Sequence, residues 1–86
     1  MTIKIYSTPS CTYCHAAKEL FKEKGVEYQD IDVASNVEER KKMIEKSGQM
    51  GVPVIEIGEQ VIVGFDKALL EKLLATGGKE DMALAA

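Results

Sequence analysis

Nothing in this chain constrains its fold more than two cysteines, Cys11 and Cys14, set where an apolar run hands over to helical periodicity. Ile3-Lys4-Ile5-Tyr6 reads as a strand and Ser7-Thr8-Pro9 as a turn, and a helical pattern then runs from about Thr12 to Lys24. Positions three apart share a helix face, so Cys14 stands one turn inside the helix on the same side as Cys11. Cys11 falls at the helix mouth, where backbone N–H groups lack intrahelical partners and the positive end of the dipole favours a thiolate. The pair therefore predicts thiol–disulfide exchange, with Cys11 attacking and the more buried Cys14 resolving. A static bridge across so short a loop would constrain little of the unfolded chain. Two cysteines and one histidine do not close a four-ligand zinc site either, so no metal site is expected.

Length and composition narrow the remaining choices. Eighty-six residues make one small domain, and a hydrophobic content of 45% with 29% charged residues is ordinary for a globular protein. The net charge is −3 with dispersed basic residues, which argues against a nucleic-acid footprint or a polybasic membrane patch. No apolar run reaches the length of a membrane span, and the N-terminus enters a strand without a signal-peptide pattern. The expected compartment is cytoplasmic, where a lone Cys-x-x-Cys is catalytic more often than structural.

Taken in order, the first helix places Cys14, Ala17, Leu20 and Phe21 on one face, with Lys18, Glu19, Lys22 and Glu23 outside, and Gly25 stops it. A second strand is predicted over Val26 to Val33, its apolar phase changing between Val26/Tyr28 and Ile31/Val33. Ser35-Asn36-Val37-Glu38 has capping-box spacing and opens a charged helix to about Ser47, to which Val37, Met43 and Ile44 give a thin apolar contribution. After a loop over Gly48 to Gly51, Val54 to Ile57 and Gln60 to Val63 form a hairpin around Gly58-Glu59. Asp66 caps a last helix that buries Leu69, Leu70, Leu73 and Leu74. Residues 1–76 are thus read as the domain, in the order β-α-β-α-β-β-α, and residues 77–86 as a frayed tail.

Three motifs in order, Cys11-Thr12-Tyr13-Cys14, Gly51-Val52-Pro53 and Gly64-Phe65-Asp66, resemble those of glutaredoxins of the dithiol type, over about residues 2 to 76. Around Val63-Gly64-Phe65-Asp66 the chain is also similar to the small glutaredoxin-like electron donors of ribonucleotide reductase. The resemblance implies an α/β, thioredoxin-like, three-layer fold with a four-stranded mixed sheet, ordered second, first, third, fourth strand, and helices on both faces. It implies a cis Val52–Pro53 bond that turns the Val52 backbone toward the thiol to pair with the cysteine of glutathione. It further implies that Gly64, Phe65 and Asp66 hold the γ-glutamyl end, that Tyr13 flanks the thiol, and that Gln49 lies near the glycyl carboxylate.

Departures from the family pattern bear on specificity. Thr12 stands where many members have proline, Thr8 where many have lysine, and Gly51 where threonine is common. His15, four residues after Cys11, is read as exposed rather than as an essential base, and Tyr6 and Tyr28 as packing residues. The activity implied is reduction of protein–glutathione mixed disulfides and protein disulfides by a monomer. Glutathione serves as co-substrate, no cofactor is permanently bound, and ribonucleotide reductase is among the candidate partners. Two alternatives stand beside it: a redoxin recharged by thioredoxin reductase, and a glutathione-dependent iron–sulfur carrier, which Thr12 leaves open.

Overall fold

The computed structural model describes residues 2–76; the tail expected over 77–86 lies outside the described residues. The elements are β1 (Ile3–Ser7), α1 (Thr12–Glu23), β2 (Gln29–Asp32), α2 (Val37–Ser47), β3 (Val54–Ile57), β4 (Gln60–Val63) and α3 (Lys67–Thr76). They build one four-stranded sheet in the order β2-β1-β3-β4. β1 runs parallel to β2 and antiparallel to β3, and β3 and β4 form the antiparallel hairpin. The mixed sheet follows from connection lengths: β1 and β2 are joined through a helix, β3 and β4 through Gly58-Glu59 alone.

Side-chain alternation divides the sheet into two faces. Ile3, Ile5, Ile55, Ile57 and Ile62 meet Ala17, Leu20 and Phe21 of α1 and Leu70 and Leu73 of α3. On the opposite face Tyr6, Val33 and Val54 surround Met43 of α2, with Ile31, Ile44 and Val52 partly buried beside them. The face predicted for α1 is thus the buried one, and three layers result. Val37 departs from expectation: it sits on the first turn of α2 and is 50% exposed, leaving Met43 as that helix's deep anchor.

The ends of α1 and α2 show how local sequence sets the frame. Gly25 adopts φ +68°, with its N–H on the Lys22 carbonyl, while the Val26 N–H reaches Phe21. That is a Schellman closure, and the left-handed residue it requires is the glycine. α2 begins one residue later than the Ser35 box implies: Asn36 is the cap, and its side-chain oxygen accepts from the Glu39 N–H at 3.1 Å.

The second strand is shorter than predicted, covering Gln29 to Asp32 rather than Val26 to Val33. Its apolar phase change marks where the chain crosses between layers. Val26 and Tyr28 pack with the α1/α3 cluster, Tyr28 with its ring 5.2 Å from that of Phe21, whereas Ile31 and Val33 join the α2 cluster. Tyr6 is 1% exposed, and its hydroxyl accepts from Lys46, which also pairs with Glu56.

Candidate functional site

Pro9 and Ser10 carry the chain out of β1, and the Cys11 N–H bonds back to the Thr8 carbonyl at 3.3 Å. Cys11 then takes the N-cap position of α1 with φ −84° and ψ 113°. Its sulfur accepts the Cys14 backbone N–H at 3.1 Å, so a thiol group fills the role an aspartate or serine oxygen has at most helix starts. A sulfur held there faces the unpaired donors and the positive end of the helix, the environment that supports a sulfur anion. Cys11 remains partly accessible, whereas Cys14 is completely buried, as the sequence predicts.

The two thiols are not equivalent. Burial, the largest influence, pushes the Cys14 thiol up to about 12, and its hydrogen bond with Cys11 acts in the same direction. A backbone bond to Thr8 and the charge of Lys18 pull it down. Cys14 is therefore protonated at neutral pH, and the outer sulfur is the one presented to a substrate.

Distant segments converge on this helix mouth. The Val52–Pro53 peptide is cis, and the Cys11 thiol points at the Val52 carbonyl oxygen 3.9 Å away. The Gly64 N–H donates to the Pro53 carbonyl at 2.8 Å, which ties the third motif to the second. Phe65 in turn stacks on Tyr13, with ring centroids 6.5 Å apart and planes 25° apart, although Tyr13 is otherwise 65% exposed. Asp66 caps α3, its Oδ1 accepting from the Leu69 N–H at 3.1 Å. Cys11, Tyr13, Val52, Pro53, Gly64 and Phe65 are thus linked by contact, with Asp66 following at the helix start.

The Gln49 side chain closes onto its own loop. Its Oε1 accepts from the Gly51 N–H at 2.6 Å and its Nε2 donates to the Gly51 carbonyl at 2.9 Å. A Cβ at position 51 would lie 2.7 Å from that Oε1, so the absence of a side chain at Gly51 permits the ring. His15 is exposed on the first turn, with Nε2 2.9 Å from the Pro9 carbonyl, and its ring makes no hydrogen bond to either sulfur.

The sequence reading also missed a polar network behind the motif. Lys18 does not lie outside: its side chain is 17% exposed and its Nζ is 2.7 Å from Asp30 Oδ2. The other Asp30 oxygen accepts the Ser7 hydroxyl at 2.7 Å. The available signal was weak, a lysine one turn beyond Cys14 and an acid on the next strand.

The glutaredoxin family profile matches residues 3–62. The chain belongs to the glutaredoxin family. This glutaredoxin is 49% identical over 72 residues to an uncharacterised glutaredoxin-like 8.6 kDa protein in a rubredoxin operon of Clostridium pasteurianum, covering 84% of this chain and 96% of that one. It is 40% identical over 80 residues to glutaredoxin 3 of Escherichia coli K12, covering 93% and 94% respectively.

Among solved structures, the thioredoxin-like protein BC3987, as a point mutant, superposes with a TM-score of 0.81 at 28% identity, covering 86% of this chain and 95% of that one. Escherichia coli NrdH-redoxin, a glutaredoxin-like protein with a thioredoxin-like activity profile, gives 0.74 at 29% identity and covers 85% and 95%. A buckwheat glutaredoxin in complex with glutathione gives 0.69 at 28% identity and covers 88% and 71%. The fold is thioredoxin-like and the protein is a thiol–disulfide oxidoreductase of this family. No helix among the described residues is long and apolar enough to cross a membrane.

Proposed function

We propose that this glutaredoxin reduces protein–glutathione mixed disulfides and protein disulfides with glutathione as electron donor. The observation that carries the reading is the Cys11 sulfur, accessible at the cap of α1 and 3.9 Å from the Val52 carbonyl of the cis-proline segment. Cys11 attacks the glutathione sulfur of a mixed disulfide, the substrate leaves as a thiol, and a second glutathione releases oxidised glutathione and regenerates Cys11. With a protein disulfide, Cys11 forms the mixed disulfide and Cys14 displaces the substrate thiol, closing the ring. Val52 pairs with the ligand backbone, Tyr13 and Phe65 flank it, and the Phe65 and Asp66 N–H groups receive its α-carboxylate at the start of α3. Glutathione acts as co-substrate, with no cofactor held permanently. The proposed setting is a cytoplasmic monomer acting on disulfide proteins, with ribonucleotide reductase among the candidate partners.

The test is titration of the reduced protein with oxidised glutathione, followed by intact mass and by activity assays. Cys11→Ser is expected to abolish every activity, whereas Cys14→Ser keeps deglutathionylation and accumulates the glutathione adduct. Equal loss in both variants contradicts the assigned roles.

A second reading, recharging by thioredoxin reductase, is favoured by the Gln49 amide. Bonded to Gly51 on both sides, it leaves one N–H for a ligand carboxylate. Resemblance to NrdH-redoxin leans the same way. Coupled assays that supply either glutathione with its reductase or thioredoxin reductase alone decide between the two.

A further inference from the structure

The resolving half of the exchange poses a chemical difficulty that the attacking half does not. Cys14 has no exposed surface, and its thiol is pushed up to about 12, first by burial. A buried thiol of that kind is a poor nucleophile at neutral pH, because the thiolate does the attacking. Its surroundings change once Cys11 has entered a mixed disulfide. The Cys11 sulfur is then neutral, so its charge, one of the influences that raise Cys14, is gone. Burial remains, opposed by the Thr8 backbone and the charge of Lys18.

Lys18 stands four residues after Cys14 on α1, hence on the same face. A lysine in such a position ordinarily extends its ammonium into water. Here the side chain is 17% exposed, and its Nζ is drawn 2.7 Å from Asp30 Oδ2 on β2. Asp30 is itself fixed: its Oδ1 accepts the hydroxyl of Ser7, which is 2% exposed on the adjacent strand. Partial burial by itself would raise the Asp30 carboxyl, yet the hydrogen bonds from Lys18 and Ser7 hold it below its ordinary value, so it stays an anion and keeps its grip. Of the other titratable groups of the first turn, Tyr13 stacks on Phe65, and His15 has its Nε2 2.9 Å from the Pro9 carbonyl and adds slightly to the lowering of Asp30. The groups around the Cys14 thiol are therefore Cys11 and the Thr8 backbone at the loop, Lys18 on its own helix, and Asp30 behind Lys18.

We propose that Lys18, anchored through Asp30 to Ser7, is a positioning residue for ring closure: its ammonium stabilises the Cys14 thiolate that attacks the Cys11 mixed disulfide. This rests on the resolving role assigned above to Cys14. In the step, the Cys14 thiol gives its proton to solvent and its sulfur bonds to the Cys11 sulfur. The bond between Cys11 and the substrate sulfur breaks, and the substrate leaves as a thiolate that takes up a proton. The enzyme's two thiols are oxidised to one disulfide as the substrate disulfide is reduced to two thiols.

The experiment follows the glutathione adduct of the full chain by acid quench and intact mass across pH 6 to 10. For Lys18→Met, closure is expected to slow about threefold at neutral pH, with its pH profile displaced upward by about half a unit. Lys18→Arg, which restores the charge, should recover most of the rate. Adduct formation, which does not use Cys14, is the internal reference for both. Because Lys18→Met leaves Asp30 without its cation, Lys18→Met/Asp30→Asn is measured as well, and it should remain slow with its profile still displaced. A closure profile unmoved in both variants overturns the proposal, as does slowing without any pH displacement, the sign of a purely structural effect. Cys14→Ser separates the two levels: if its adduct also discharges at the native rate, the resolving role itself is wrong.

Discussion

The two cysteines differ in what surrounds them, and that difference has consequences away from the chemistry. Cys14 ionises near 9.0 in an unfolded chain and at about 12 in the fold, the rise coming first from burial. Below 9.0 both states keep the proton and nothing is lost. Between 9.0 and about 12 the unfolded thiol ionises first, so the fold loses stability as pH rises. Urea unfolding of the reduced protein should show this alkaline decline in part because of Cys14, and Cys14→Ala should decline less steeply over the same window. Asp30 behaves in the opposite sense. Its carboxyl sits below 3.8 in the fold, although partial burial works against this, because Lys18 and Ser7 bond to it. Its contribution is complete above that value and disappears as pH falls through the folded one. Asp30→Asn should therefore flatten the acid limb of the stability profile below about pH 4 while leaving its shape near neutrality unchanged.

At the level of elements, the cap of α2 gives a sharp test. Asn36 accepts the Glu39 N–H, so Asn36→Ala is expected to cost about 1 kcal/mol in thermal or urea unfolding, and Ser35→Ala close to nothing. The reverse order would show that α2 starts where the Ser35 box places it. The one-residue ambiguity has a cause in the sequence: Ser35 and Asn36 both make good caps, and Glu38-Glu39 supplies an acid in either frame. Elements with a strong period were legible. The α1 face of Cys14, Ala17, Leu20 and Phe21 is buried as read, and the hairpin from Val54 to Val63 has its expected ends. β2 was overread because Val26 and Tyr28 are apolar for helix packing rather than for pairing. At the site, the order of motifs was enough to bring Cys11, Val52 and Phe65 into view. Lys18 was misjudged, and the Gln49–Gly51 bonds went unread, because their partners, a carboxylate on another strand and a backbone two residues away, leave no period in the sequence.

The whole molecule is two apolar layers divided by the sheet, with β1 hydrogen-bonded to both β2 and β3. Phe21 is completely buried in the layer under α1 and α3. Phe21→Ala should cost about 3–5 kcal/mol, measured by denaturant unfolding, a large share of what a domain of this size has to lose. Met43→Ala, which empties the opposite layer, should cost about 2–5 kcal/mol. α1 is packed through Phe21 and also ends in Cys11, so Phe21→Ala is expected to impair exchange only at temperatures where the protein is already unfolding.

The contact between Cys11 and the Val52 carbonyl spans 41 residues, and the Tyr13–Phe65 stack reaches further still. A polypeptide still being made on the ribosome carries both sulfurs before the Val52 and Phe65 segments that stand beside them in the fold. Until β3 and β4 have emerged and docked, the Cys11 sulfur lacks the Val52 carbonyl and the Tyr13–Phe65 stack beside it. The order of synthesis thus sets the helix cap at Cys11 before the groove beside it is complete.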